Sequence, residues 1–340
     1  MKCWKRTARQ AKLRRRSRLF LLFALVILAL VGTSAAQETT LHTQSNVVLV
    51  PALVKNPRGQ IVYGLEAKDF VIEDDGVEQA VRLDESLDSQ AISIVVAIQT
   101  GRRASYEFPR IRGLSSILEP IVSQGHAKIG VVEFDSQVHP IHDFTGNADR
   151  ITQDLNDLQP GDGGAAILDA VDASIKLLEE APNGHERVLL LISETRDHGS
   201  QAKMDEVVAE IGQRNVLVYA LTFSPSLSNI LDTGRGNNKA EMHNGVDFLD
   251  LMNRARQAMR KNVPSAIVSM TGGEYEPFAT GRKFEQRVND FTNHLHSRYL
   301  LSIQPANPRP GLHQIRARLR EPGGNTVLAR TSYWAEARSE

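Results

Sequence analysis

The 340-residue chain has one cysteine, Cys3, two tryptophans and only 6% aromatic residues. A single thiol closes no disulfide within the chain. The fold must therefore rest on its core, which a chain of this length can build. Long apolar runs are also missing. The most apolar stretch, Leu19–Val31, is too short to span a bilayer comfortably as a mature helix. No acid precedes Glu38. The sequence offers no serine elbow, no phosphate-cradling glycine loop and no Cys/His pair, so nothing in it requires an enzyme.

Nine basic residues, from Lys2 to Arg18, precede the apolar run, and Ser34 and Ala36 stand at the −3 and −1 positions of a cleavage before Gln37. These parts together predict a secretory signal peptide over residues 1–36, and hence an exported, periplasmic or secreted protein with no stable membrane anchor after cleavage. Arg15-Arg16 leaves a twin-arginine route open beside the general one. Cleavage would lower Lys plus Arg from 40 to 31 while Asp plus Glu stays at 40, leaving a net charge near −9. An acidic surface repels phosphate backbones, so nucleic acid is not an expected partner.

The stretch Ala91–Arg103, AISIVVAIQTGRR, organises the rest. It is apolar up to Ile98 apart from Ser93, which predicts a strand buried on both faces of a parallel sheet. The turn at its carboxyl end is where open α/β sheets place ligands. Ahead of it, Val47–Val54 reads as a strand and Asn56-Pro57-Arg58-Gly59 as a type I turn. Phe70–Glu73 and Gln79–Leu83 flank Asp74-Asp75-Gly76 as a hairpin. Residues 37–88 are thus expected to form a small all-β module. After Gln99, strands over 128–134, 138–144, 187–193 and 216–223 alternate with helices over 106–123, 149–158, 166–180 and 204–214. That alternation predicts a doubly wound, mostly parallel sheet. Ser224–Val246 reads as a long mobile loop. Helices over 248–259, 265–270 and 283–297 follow, with Thr271-Gly272-Gly273 as a C-cap. Three strand-like runs over 299–340 either pair with one another or join the amino-terminal module.

From about Ser93 to Ser297 this order resembles a von Willebrand factor type A domain. The flanks VVLVPALVKNPRGQIVYGLEAKDFVIEDDG, SMTGGEYEPF and RYLLSIQPANPRPG resemble those of bacterial secreted VWFA-related proteins. The resemblance implies a Rossmann-like α/β domain over 89–298, flanked by β segments, and a protein-binding or adhesion role. In that family a divalent cation sits above the strand ends on an Asp-x-Ser-x-Ser motif, a Thr and an Asp, all hard oxygen donors. Carried over position by position, Gln99 stands for the Asp, Gly101 and Arg103 for the two Ser, Ala165 for the Thr and Glu194 for the second Asp. One carboxylate, an amide and the guanidinium groups of Arg102 and Arg103 do not make a Mg²⁺ site, so no cofactor and no metal are expected. Arg103, or Arg102 if the turn is shifted by one, is expected to pair with Glu194 through two parallel hydrogen bonds.

Other candidate chemistry is weaker. His139 and His142 sit at strand spacing, which sends them to opposite faces, and His294 and His296 do not face each other on a helix. Glu133 and Asp135 can both face the rim, as solvated loop carboxylates or an acid/base pair. Three readings follow. The first is an exported module holding an unidentified protein partner without metal. The second is a metal-dependent receptor or hydrolase using Glu194, Asp162, Glu133 and Asp135. The third is a structural envelope protein.

Overall fold

The computed structural model describes residues 47–84, 91–125, 127–139, 142–182, 184–223, 248–305 and 308–336. The signal peptide expected over 1–36 and the loop expected over 224–246 lie outside the described residues. Strand β5 (Ile92–Gln99) is buried along its whole length, as its apolar run requires. It pairs in parallel with β6 (Ala127–Phe134) on one side and β8 (Glu186–Ser193) on the other, placing Ile94 between Ile129 and Val188. Beyond β8 come β9 (Val216–Phe223) and β10 (Tyr275–Phe278), both parallel. Beyond β6 comes the antiparallel edge strand β7 (His142–Thr145). The result is a six-stranded, mostly parallel sheet in the order β10-β9-β8-β5-β6-β7.

Side chains alternate across this sheet with the strand period. Ile92, Ile94, Val96 and Ile98 pack with α1 (Phe108–Ile111), α2 (Leu114–Ser123), α3 (Ala148–Asn156) and α8 (Gly281–Leu295). Val95 and Ala97 pack with α4 (Ile167–Glu179), α5 (Met204–Gln213), α6 (Phe248–Lys261) and α7 (Val263–Thr271). Each fully buried Ile, Leu or Val stabilises the fold by about 1.5–3 kcal/mol relative to exposure. Helix α7 ends at Gly272, whose φ of 85° is the left-handed C-cap that the Thr-Gly-Gly sequence predicts.

Two antiparallel sheets flank this domain and share a third core. One runs β13 (Thr326–Ala329), β1 (Val48–Lys55), β11 (Tyr299–Ile303), β4 (Arg82–Leu83). The other runs β14 (Ser332–Ala335), β12 (Gly311–Leu319), β2 (Phe70–Asp74), β3 (Val77–Gln79). The carboxyl-terminal strands therefore join the amino-terminal ones, and neither flank supplies a complete sheet alone. Register pairs Val50 with Leu301 and Ile72 with Ala317.

Several elements differ from expectation. The helix expected over 106–123 is a 3-10 turn (Ala104–Glu107), then α1, then α2, broken at Arg112 and Gly113. The strand expected over 138–144 begins at His142. Val138 makes only an isolated bridge to Phe134, and residues 140–141 lie outside the described residues. Strand β10 has no counterpart among the elements expected from the sequence, and Pro277 lies inside it. A proline is tolerated there because the strand is at the sheet edge.

Candidate functional site

The rim above the carboxyl ends of β5 and β8 is built from the turn after Gln99, the turn after Ser193 and the 160–166 loop. Gln99 is fully buried. Its Oε1 accepts the Glu194 N–H at 2.8 Å, and its Nε2 donates to the Gly101 carbonyl at 3.3 Å. The amide thus ties the ends of two neighbouring strands together. Thr100 anchors the same turn to β6, its N–H and hydroxyl donating to the Phe134 carbonyl at 2.7 and 3.1 Å.

Arg102 takes a left-handed backbone conformation, φ 57°, which is uncommon for a residue with a side chain and costs about 1–2 kcal/mol. That reversal lets its N–H donate to the Asp162 carbonyl at 2.6 Å while its Nε donates to Glu194 Oε2 at 3.0 Å. The guanidinium that reaches Glu194 is therefore Arg102 and not the favoured Arg103. Arg103 begins the 3-10 turn and is exposed. Nor is the pair doubly bonded. Only Nε engages the carboxylate, and the buried Glu194 Oε1 has no hydrogen-bond partner among the described residues.

Ala165 is buried and offers no oxygen from its side chain. Its backbone exchanges hydrogen bonds with His198 at 2.7 and 2.8 Å. Below it, the start of α4 and the loop after β8 cap one another. Leu168 N–H donates to Asp197 at 3.1 Å and to Ser200 at 3.0 Å. The Asp169 carboxylate accepts from Gln201 and, at 2.7 Å, from Ala202. The start of α4 and the loop after β8 thus satisfy one another's backbone and side-chain groups.

Gly101 closes the middle of the rim. A Cβ there would stand 2.2 Å from the Gly164 carbonyl oxygen and 2.8 Å from Asp135 Cβ. Gly161 and Gly164 meet Asp135 and Ser136 just as closely from the other side. The three turns interlock because glycine lets their backbones touch.

The acidic residues are individually occupied. Asp162 accepts from Ser136 N–H at 3.0 Å, from the Ser136 hydroxyl and from Gly164 N–H at 2.7 Å. These bonds, led by the hydroxyl, hold its carboxyl below the usual range. Burial pushes Asp135 up, but the Asp162 and Gln137 N–H groups and His139 outweigh it, so its pKa is lowered. Glu133 is raised by burial and stands apart from that cluster of hydrogen bonds. His139 meets Asp135 and His142 meets Asp154, each at 2.9 Å, while His294 meets Glu274 at 2.6 Å. Among the described residues, the one group of three with metal-ligand chemistry is Asp74, Asp75 and His313, in the flanking sheets rather than at the rim.

Residues 100–196 match the von Willebrand factor type A domain family, and the six-stranded sheet with its two helical layers is that fold. No curated protein matches the chain. Among solved structures, the chain is similar to an aerotolerance-related membrane protein from Bacteroides fragilis NCTC 9343, with 14% identity, a TM-score of 0.42 and coverage of 60% of this chain and 99% of that one. It is also similar to the conserved hypothetical protein BatB from Bacteroides thetaiotaomicron (13%, 0.39, 60% and 99%). A third is the pilus adhesin SpaC from Lactobacillus rhamnosus GG in its open conformation (9%, 0.40, 84% and 48%).

Proposed function

We propose that the chain is an exported protein-binding module whose rim works without a bound metal. In this reading residues 1–36 are a signal peptide removed on export. Residues 37–88 and 299–340 brace the von Willebrand factor A-like domain over 89–298. The observation that carries it is the Arg102–Glu194 contact beside the closed Gly101 turn. A divalent cation needs about six oxygens, several of them carboxylate or hydroxyl. Of the five positions that correspond to ligands, only Glu194 brings a carboxylate, and a guanidinium already rests on it. The donor set does not fit Mg²⁺, so a metal-bridged contact with a partner's carboxylate is not the mechanism we assign.

Arg103 and Tyr106 supply a different kind of contact. Both are exposed beside the rim, Tyr106 at 76%. Arginine and tyrosine are the residue types that most often anchor protein interfaces, through a flat guanidinium and a large ring with few rotatable bonds. A partner with acidic groups opposite Arg103 and an apolar notch for Tyr106 matches this surface.

The expected result of affinity capture is one or more proteins retained equally in Mg²⁺ and in EDTA. The double variant R103A/Y106A should lose them while keeping the melting temperature of the parent. Capture that requires Mg²⁺ contradicts metal independence, and capture indifferent to the double variant contradicts the assigned surface.

A further inference from the structure

At the opposite end of the six-stranded sheet, below the first residues of β8 and β9, lies a cavity of about 350 Å³. Strands β1 and β11 roof it with Leu49, Pro51 and Leu300, and its polar side carries Glu186, Arg187 and Arg330. The charges here do not balance. Arg330 is buried, and its guanidinium is held only by neutral oxygens: the Ser332 carbonyl at 2.9 Å, the Leu49 carbonyl and Asn215 Oδ1 at 3.2 Å, and the Gly212 carbonyl at 3.3 Å. Arg187 Nε is buried with no hydrogen-bond partner among the described residues. Neither arginine forms an ion pair with the described residues. A buried guanidinium without a counter-charge is costly unless something else supplies the negative charge.

The one acid in the cavity does not supply it fully. Burial pushes the Glu186 carboxyl up to about 7, with Arg298 opposing, so at neutral pH much of it is uncharged. Burial lowers Arg330 only to about 10, which leaves it a cation. The cavity therefore has a net positive polar wall facing an apolar roof. Its volume lies within the range of small-molecule sites.

We infer that this cavity binds a small amphiphilic oxyanion, a carboxylate or phosphate head on a short apolar body. Arg187 donates the hydrogen bonds, Arg330 contributes charge, and Leu49, Pro51 and Leu300 cover the body. The inference does not depend on the rim, which lies at the other end of the strands.

The test is calorimetry on the purified protein with sodium octanoate, octyl phosphate, inorganic phosphate and 1-octanol as probes. Octanoate or octyl phosphate should bind at one site per chain, and the stronger of the two identifies the head group. Inorganic phosphate and octanol should each bind at least about tenfold more weakly, since each lacks half of the ligand. R187Q should reduce affinity about tenfold or more, and R187K should recover part of it. Arg187 is partly exposed and makes no ion pair among the described residues, so neither variant should melt below the parent, and R187Q, which removes an uncompensated charge, should melt at or above it. Binding of octanol equal to octanoate, binding unaffected by R187Q, or no binding of either amphiphile overturns the inference.

Discussion

Replacing Gly101 by serine is expected to destabilise the protein by about 2–4 kcal/mol, the upper range for forcing an atom into a packed site. The new Cβ would lie 2.2 Å from a carbonyl oxygen and 2.8 Å from Asp135 Cβ, distances that real atoms do not adopt. Neither neighbour is free to move. Gly164 is held by its N–H on Asp162, and Asp135 accepts from Gln137 and Asp162. Relief would require pulling the 160–166 loop off the rim, with loss of the Arg102 N–H bond to the Asp162 carbonyl. The exposed R103S should change stability by less than about 0.5 kcal/mol. Urea unfolding of the two variants separates these cases. G101S with the parent's midpoint would mean the turns do not interlock as described. For the same reason, restoring Asp, Ser, Ser and Thr at 99, 101, 103 and 165 should give a poorly folded rim before it gives a metal site.

The second large effect concerns His313. Its Nε2 donates to the Arg309 carbonyl at 2.6 Å, and its Nδ1 faces Asp75 at 3.1 Å and Asp74 at 3.3 Å. Nε2 is hydrogen-bonded and Nδ1, which makes no aligned hydrogen bond, lies within ion-pair distance of two carboxylates, an arrangement that favours the imidazolium. Tyr333 stacks on it at 4.8 Å and donates its hydroxyl to Asp74 at 3.1 Å, and Arg309 also reaches Asp75. Burial alone would lower the pKa, but the two aspartates and the Arg309 carbonyl raise it from 6.5 to about 10. A folded-state pKa above the unfolded one contributes stability that is fully present below pH 6.5. That stability is lost progressively as pH rises from 6.5 towards 10. The size is on the order of a few kcal/mol. Asp75, lowered to about 2 chiefly by His313 against the pull of burial, works at the acid end, where its contribution fades as pH falls from 3.8 towards 2. The parent should lose stability steeply between pH 6.5 and 10. H313Q should be weaker at pH 6 and flatter above it, which denaturant titrations at several pH values would read. Equal slopes for the two proteins on the alkaline side would remove the imidazolium from the account.

Much of the domain was legible because its signals are local. A run such as Ile92–Ile98 has few alternatives to a central strand, and the strand–helix alternation after it leaves little freedom in topology. Elements whose cause is non-local were harder to read. Strand β10 is four residues with a proline and exists because β9 offers an edge. The pairing of β1 with β11 and β13 joins segments far apart in the chain, for which composition carries no register. At the rim, Gln99 and Glu194 were placed on adjoining turns by strand order alone. Which arginine meets Glu194 depended on one dihedral, the positive φ of Arg102, and residue type gives no hint of it. The glycines at 161, 163 and 164 mark a loop in sequence. That two of them and Gly101 touch other backbones becomes visible only once three turns are assembled. The unbalanced arginines beneath β8 were silent in sequence because a buried guanidinium and a solvated one are spelled alike.

The most direct test of the account is calorimetric titration of the unmodified protein with Mg²⁺ and with Mn²⁺. With Arg102 on Glu194 and Gly101 closing the turn, no saturable binding at the rim is predicted up to about millimolar metal, a concentration that would reveal even weak sites. Micromolar affinity for either ion, abolished by E194A, would contradict it.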